Sequence, residues 1–337
     1  MRNPVVTVVV PTLAADEKLV ECIHSLRDQT LRDFDLVVVD NSGKGLVRAL
    51  GLAVPGLRLV EQERNTGFGA AVNAGFRTSG APYLATLNDD AVAHPGWLAA
   101  LVGAMERYPD AGMCASQVRL YGEPQLDSCG MLICRDGSSK QRGHLRPAAD
   151  FPVEEEVLFP SGSAALYRRE MLAETGLFDE EFFLYCEDTD LGLRARWLGW
   201  RCVYVPEAVV EHHYSHSAGR ASPVKAYYVE RNRLFVLVKN FPAGMLAAAP
   251  FISVVRYCWH VALMLAGRGS AARFRREGHA GVRMLLYVLK AHGALVWRLP
   301  VLLGRRRELL AKARVSPVVY RRLLLSHAIG ARRVAEL

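Results

Sequence analysis

The first 120 residues change their hydrophobic period every ten or so positions, and this alternation limits the fold more than any other property of the chain. Short β-branched runs at 5–10, 36–39, 57–61 and 83–87 are separated by helically spaced segments at 18–28, 44–52 and 69–78, and another follows at 97–107. Strands alternating with helices pair in parallel through right-handed crossovers, which predicts an α/β sheet covered on both faces. In such sheets ligands bind beyond the carboxyl ends of the strands. The four runs end there on polar, backbone-permissive residues: Pro11 and Thr12; Asp40, Asn41 and Ser42; Arg64, Asn65, Thr66 and Gly67; Asn88, Asp89 and Asp90. A parallel sheet gathers these clusters on one rim, and together they mark a site.

From 121 to 159 the pattern loosens into a long excursion rich in Gly, Pro and Arg. Order returns at 158–167, in a helix at 187–197 and in a strand at 201–205, and a polar loop at 211–219 closes a first domain, 1–222. The remainder, 223–337, reads as a helical region. Within it 241–266 is apolar apart from Arg256 and His260 and is interrupted by Pro250. A spanning helix wants about 20 apolar residues with few charges, so a buried or interfacial helix is expected there. Arg276, Arg283, Lys290, Arg298 and Arg305 are spaced 7, 7, 8 and 7 apart. On one helix they would share roughly an 80° arc, although Pro300 would kink it. A basic stripe on an otherwise apolar helix suits an anionic membrane surface.

Charge separates the two regions. Of 42 Lys and Arg against 34 Asp and Glu, residues 268–337 hold 16 against 3, a balance of +13, which leaves 26 against 31, or −5, for the rest. The basic tail calls for an anionic partner. Its basic residues alternate with Leu and Val, where a nucleic-acid surface would interleave aromatics, so no nucleic acid is expected. Seven scattered cysteines without a C-x-x-C pair fit a reducing cytoplasm. The apolar run at 5–10 is short for a signal peptide and is read as the first strand.

Three groups carry chemistry. Adjacent carboxylates such as Asp89 and Asp90 at a strand end repel unless a cation sits beside them. Oxygen ligands in a loop favour a hard divalent ion, Mg²⁺ or Mn²⁺, able to bridge substrate phosphates. Glu187, Asp188 and Asp190 crowd one helix start, where the dipole favours negative charge and a carboxylate can serve as general base. His212, His213 and His216 lie close enough in sequence to offer a metal or phosphate contact. The loop from Arg64 to Gly69 suits phosphate at a helix start. It is not the dinucleotide fingerprint, because it follows the third strand and Val72 stands where the last Gly belongs.

The segments VVVPT at 8–12, Asp40 with Asn41, RNTGFGAAVNAG at 64–75, LNDDA at 87–91 and FDEEFFLYCEDTDLGLRARWLGW at 178–200 resemble family-2 glycosyltransferases of the GT-A fold, closest to their rhamnosyltransferase-like bacterial members. The resemblance covers about 4–240 in the correct order. It implies a nucleotide-sugar pocket lined by Pro11, Thr12, Asp40, Asn41, Arg64, Asn65, Gly67, Asn88 and Asp89. Asn88 replaces the first carboxylate of the D-x-D metal motif, which leaves Asp90 to hold a divalent ion with His212 or His213. Asp188 matches the catalytic base, with Glu187 beside it. Gly162, Ser163, Arg194 and Arg231 fall where acceptor or diphosphate contacts are expected. The implied reaction is metal-dependent and inverting, from a nucleotide-sugar to a glycan or lipid-linked acceptor, at the inner face of the plasma membrane.

Two other classes compete. A sugar nucleotidyltransferase would carry a Gly-rich, Arg-bearing loop after the first strand, where this chain has Pro11, Thr12, Leu13, Ala14 and Ala15. A non-enzymatic, basic-tailed membrane or nucleic-acid binder would use the α/β body only to carry a partner site.

Overall fold

The computed structural model describes residues 4–51, 56–213, 222–276 and 281–337. The described chain forms two compact units that interleave along the sequence. One comprises Met1–Met131, Gln141–Phe183 and Trp200–Ser217; the other comprises Leu132–Lys140, Leu184–Gly199 and Ala218–Leu337. Beside the expected single boundary at 222, two internal segments are assigned to the second unit, among them the helix at 187–197.

The strands are β1 (Val6–Thr12), β2 (Phe34–Asp40), β3 (Leu57–Glu61), β4 (Tyr83–Leu87), β5 (Ala91–Ala93), β6 (Ala111–Leu120), β7 (Leu126–Ser128), β8 (Met131–Ile133), β9 (Ser139–Gln141), β10 (Glu155–Val157), β11 (Ala164–Arg168) and β12 (Arg201–His212). The helices are α1 (Glu17–Arg27), α2 (Leu46–Ala49), α3 (Phe68–Arg77), α4 (Trp97–Arg107), α5 (Arg169–Thr175), α6 (Glu187–Trp197), α7 (Pro223–Asn240), α8 (Ala243–Leu246), α9 (Ala249–Leu265), α10 (Gly269–Arg276), α11 (Gly281–Lys312), α12 (Pro317–Ser326) and α13 (Ala331–Glu336).

In the first unit the sheet runs β10-β12-β6-β11-β4-β1-β2-β3, with β5 on β12 and β7 on β6. The four expected strands are the parallel set β3-β2-β1-β4. β1 is buried along its whole length, as a strand covered on both faces must be. Helix α3 lies close on it because Gly75 has no side chain; a β-carbon there would come within 2.5 Å of Val9. The chain winds outward from β1 to β3 and then returns to β4 on the other side of β1. That reversal opens a crevice at the carboxyl ends of β1 and β4, where Thr12 and Asn88 to Asp90 stand. Antiparallel β11 joins β4 to β6, and the Asn88 amide donates to the Ser163 carbonyl at 2.8 Å.

Strand β12 differs from expectation. It does not stop near Val205 but passes a register shift between Val205 and Val209, around Pro206, and continues to His212, paired with Leu120 and Ala91. Proline has no N–H for the ladder, and the irregularity absorbs it without ending the strand. The excursion at 121–159 is likewise partly ordered, through β7 to β10.

In the second unit α6 is buried at ten of its eleven positions. The Trp197 indole donates to the Asn240 carbonyl at 2.7 Å, and its ring stacks on Tyr320 at 3.9 Å. Ser222 caps α7, and Pro223 occupies its first turn, where a missing N–H costs nothing. Pro250 holds the same kind of position in α9, so it starts that helix instead of breaking one. The five-residue basic stripe is divided: Arg276 ends α10, while Arg283, Lys290, Arg298 and Arg305 lie on α11, which continues through Pro300. Among the described residues α11 is long and apolar enough to cross a membrane over Arg283–Lys312; α9 and α10 meet that measure only as a pair bent by 52°.

Candidate active site

On the rim of the first unit, Asp40 and Asn41 build the loops. The Asp40 carboxylate accepts from the Ser42 amide and hydroxyl and from the Val47 amide at 2.5–2.9 Å. Burial alone would raise its pKa, but the Ser42 hydroxyl and the backbone amides outweigh burial and hold it low. Asn41 Oδ1 accepts from the Thr66 amide and hydroxyl, and its Nδ2 donates to the Gly67 carbonyl. One asparagine therefore fastens the loop after β3 to the end of β2. Gly67 closes that loop at φ +88°, and a β-carbon there would run into the Phe183 carbonyl, which also accepts from the Phe68 amide. No other residue fits such a position. Arg64 and Asn65 remain exposed above it, and with Thr66, Arg77 and Glu180 they line an open groove of about 700 Å³.

Asp89 and Asp90 have different surroundings. Burial, countered in part by the Thr12 hydroxyl and reinforced by Asp90, lifts the Asp89 carboxyl to about 6. Asp90 is 5 % exposed, and its Oδ1 lies 3.0 Å from His212 Nε2. The other ring nitrogen, Nδ1, meets Asp127 Oδ2 at 2.9 Å, and Asp127 is in turn 3.4 Å from His144. Burial works against charging His212, yet the Asp127 and Asp90 carboxylates prevail and raise it to about 10.

This arrangement fits a divalent ion. Asp90 and His212 supply an oxygen and a nitrogen of the kind such an ion accepts, and the hydrogen bond they share at 3.0 Å would give way to it. A carboxylate on the far nitrogen of a ligating histidine fixes its tautomer and orientation, and Asp127 stands there. Among the described residues no three His, Cys, Asp or Glu side chains gather as a metal set, so substrate oxygens and water would have to complete the shell. His213 is directed elsewhere: it stacks on Tyr121 at 3.7 Å and meets Glu21 at 3.1 Å. His216 lies outside the described residues.

In the second unit the acidic run at α6 separates by environment. Asp190 is fully buried and ionically satisfied by Arg194 and Lys239, each at 2.8 Å, with Asn240 donating at 2.9 Å. Glu187 is buried, and among the described residues its Oε2 has no hydrogen-bond partner. Asp188 alone of the three is half-exposed, its Oδ1 accepting from the Thr189 amide at 2.6 Å. The chain enters α6 through Tyr185 and Cys186 at φ +69° and +65°, a conformation that costs non-glycine residues about 1–3 kcal/mol each. Asn232 supports it by donating to the Leu184 and Tyr185 carbonyls at 2.8 and 2.7 Å.

The Glycosyl transferase family 2 model matches residues 7–176, half of the sequence. The chain belongs to glycosyl transferase family 2. An N-acetylglucosaminyl-diphospho-decaprenol L-rhamnosyltransferase of Mycobacterium tuberculosis is 32 % identical over 250 residues, which cover 66 % of this chain and 81 % of that one. An amylovoran biosynthesis glycosyltransferase of Erwinia amylovora is 25 % identical over 224 residues, covering 63 % and 71 %. Among solved structures, GalNAc-T7 with UDP, GalNAc and Mn²⁺ superposes with a TM-score of 0.60 at 16 % identity; the match covers 74 % of this chain and half the length of that one. The mannosyltransferase of Pyrobaculum calidifontis with GDP-Man and Mn²⁺ gives 0.52 at 18 %, covering 92 % and 86 %. These likenesses show the GT-A fold, a mixed sheet with helices on both sides followed by C-terminal helices.

Within this glycosyltransferase two residues escaped the sequence reading. Asp127 and His144 sit in the excursion at 121–159, with no local pattern to signal them; only the fold brings Asp127 to His212. Arg194 and Arg231 are both engaged, Arg194 by Asp190 and Arg231 by Asn232 and the rings of Tyr228 and Phe235.

Glu187 gives a testable signature. Burial first, and the Asp188 charge second, raise its carboxyl to about 8. A carboxyl raised in the fold takes up a proton on folding, so the fold loses stability as pH climbs from about 4.5 toward 8. Glu187→Gln imitates the protonated form and removes that slope. Thermal melts from pH 5 to 8 should show wild-type Tm falling relative to the variant by several degrees. Parallel curves would mean that Glu187 is ionised in the fold.

Proposed function

We propose that this glycosyltransferase inverts the anomeric centre while moving a sugar, a deoxysugar such as rhamnose, from a nucleotide diphosphate to a lipid-linked glycan acceptor. The observation that carries the proposal is the sorting of the acidic run: Asp190 is neutralised, Glu187 is sealed, and Asp188 alone is half-exposed. Asp188 accepts the proton of the acceptor hydroxyl as that oxygen bonds to the anomeric carbon and the bond to the leaving diphosphate oxygen breaks. One base without a covalent intermediate gives inversion. The rhamnosyltransferase relative supports the choice of donor and of a diphosphate-linked acceptor.

Asp90 and His212 would hold Mn²⁺ or Mg²⁺, with Asp127 orienting the imidazole; His213 is left out of the set. When bound, the ion neutralises charge on the departing diphosphate. Asn41 and Gly67 shape the loop that presents Arg64 and Asn65 to the nucleotide-sugar; Asp40 supports that rim, and Pro11, Thr12, Asn88 and Asp89 line it. Gly162 and Ser163, beside Asn88, are placed on the acceptor side. Arg194 is assigned to positioning Asp190, and Arg231 to the support of α6. Exposed Leu285, Leu289, Val296 and Trp297 on α11, together with its basic residues, support a peripheral contact with an anionic membrane at the cytoplasmic face.

The test is a panel of nucleotide-sugars offered with a prenyl-diphosphate-linked N-acetylglucosamine in the presence of Mn²⁺, the product analysed by NMR. A product of opposite anomeric configuration to the donor is expected. Retained configuration, or no transfer from any donor, would sink the proposal.

A further inference from the structure

His213 takes no part in the Asp90–His212 pair, and its ring has another task. Within the first unit β11 is antiparallel to both β4 and β6. Strands β4 and β6 therefore run the same way, and Tyr121, which follows β6, stands on the rim that carries Asn88 to Asp90. The backbone fixes it there: the Tyr121 amide donates to the His212 carbonyl and the His213 amide to the Asp90 carbonyl, each at 3.0 Å. The Tyr121 ring lies on the His213 imidazole, with 3.7 Å between centroids and 22° between planes, and its hydroxyl donates to Glu21 Oε1 at 2.7 Å. The other oxygen of Glu21 is 3.1 Å from His213 Nε2, so one carboxylate holds both rings. Yet Tyr121 is 42 % exposed. The stack admits nothing between the two rings, which leaves the open surface of Tyr121 on the far side.

A surface tyrosine ordinarily moves among rotamers, and ordering it weakens whatever binds. Here the stack and the carboxylate order it in the free protein, so an aromatic face stands ready for a partner. The border of that face is acidic. Glu21 and Glu211 have side chains 40 and 29 % exposed, and Glu211 accepts from the Gly122 amide, next to Tyr121, at 3.2 Å. Two carboxylates repel a phosphate but accept from hydroxyl groups. A pyranose has the matching form: C–H groups on its faces, to lie on an aromatic ring, and hydroxyls around its edge. A nucleobase would also stack, but the loops that suit a nucleotide follow β2 and β3, at the far end of the order β6-β11-β4-β1-β2-β3.

We propose that Tyr121, backed by His213 and fixed by Glu21, is a stacking platform for the pyranose ring of a reacting sugar, with Glu21 and Glu211 accepting from its hydroxyls. This rests on the function proposed above and names how one of its sugars is held. The donor's sugar and the acceptor's terminal sugar present the same chemistry, so the experiment has to separate the two.

Two simple glycosides serve as probes of the full chain in saturation-transfer-difference NMR: methyl β-N-acetylglucosaminide for the acceptor and methyl α-L-rhamnoside for the donor's sugar. Saturation of the ring C–H protons of at least one probe is expected. It should vanish in Tyr121→Leu and persist in Tyr121→Phe, which keeps the aromatic face. In transfer assays, loss of the stack should raise KM for the matching substrate about three- to tenfold, with a smaller change in kcat. Tyr121→Trp enlarges the face and should lower the same KM, which keeps the test open if Tyr121→Leu does not fold. A signal lost with the N-acetylglucosaminide assigns the platform to the acceptor, and one lost with the rhamnoside assigns it to the donor. No saturation of either probe by the wild type, or probe signals and KM values unaltered in Tyr121→Leu and Tyr121→Trp, overturns the platform. A Tyr121→Leu protein that melts lower yet binds both probes as the wild type does would overturn it too, leaving a stack that serves the fold alone. Tyr121-dependent probe binding without transfer from any donor would remove the proposed function and leave the platform; transfer with KM values indifferent to Tyr121 would do the reverse.

Discussion

Asp188→Asn is expected to slow sugar transfer about 10²–10⁴-fold while leaving the Kd for the nucleotide-sugar donor within about twofold. The substitution keeps the shape of the side chain and its hydrogen bond to the Thr189 amide but removes the ability to accept a proton. Donor and metal contacts are assigned to other residues, so a loss confined to kcat identifies the base. The alternatives within the run are closed on physical grounds: proton acceptance at Asp190 would break a buried set with Arg194, Lys239 and Asn240, and Glu187 is sealed. Transfer kinetics, with donor affinity measured by calorimetry, decide the matter. A folded Asp188→Asn protein with near-normal kcat would place the base elsewhere.

Excess EDTA should lower transfer by more than about 100-fold, and added Mn²⁺ should restore it. The buried pair Asp90 and His212 presents an oxygen and a nitrogen ligand, backed by Asp127 on the other ring nitrogen. Mn²⁺ titration followed by electron paramagnetic resonance should show Asp90→Asn and His212→Ala binding the ion far more weakly. Asp127→Asn touches no ion yet should weaken it about 10–100-fold, the usual effect of removing a group that orients a ligand. Full transfer in EDTA, or Mn²⁺ affinity indifferent to all three changes, would remove the metal from the mechanism.

Much of this arrangement was legible in the sequence because it is carried by local pattern. The two periods of the first 120 residues placed β1 to β4 and their helices within a few positions, and the polar strand ends lie on the rim as a parallel sheet requires. The exception is α2, where the expected helix over 44–52 shrinks to Leu46–Ala49 after the left-handed Gly45. What escaped depends on partners distant in sequence. Asp127 lies on a three-residue strand, and its meaning comes from His212, 85 positions away. The extension of β12 to His212 depends on pairing with β6 and β5, which carries the strand past Pro206. The basic spacing from Arg276 to Arg305 is regular in sequence, but α10 and α11 divide it; periodicity gives no information on where one helix ends and the next begins.

The threading of α6 into the second unit has a consequence for heredity. The match to the family ends at residue 176, and the helix bearing Asp188 is held by Asn240, Lys239 and Tyr320. A recombination event that replaced everything after residue 222 would leave that helix among foreign neighbours, its Trp197 without a stacking ring and Asp190 without its lysine. Exchange of C-terminal regions between relatives is therefore viable only where those partners travel along. Acceptor preference, to the extent that it resides in these helices, passes between lineages tied to the proposed base, whereas the strands of the first unit can diverge independently.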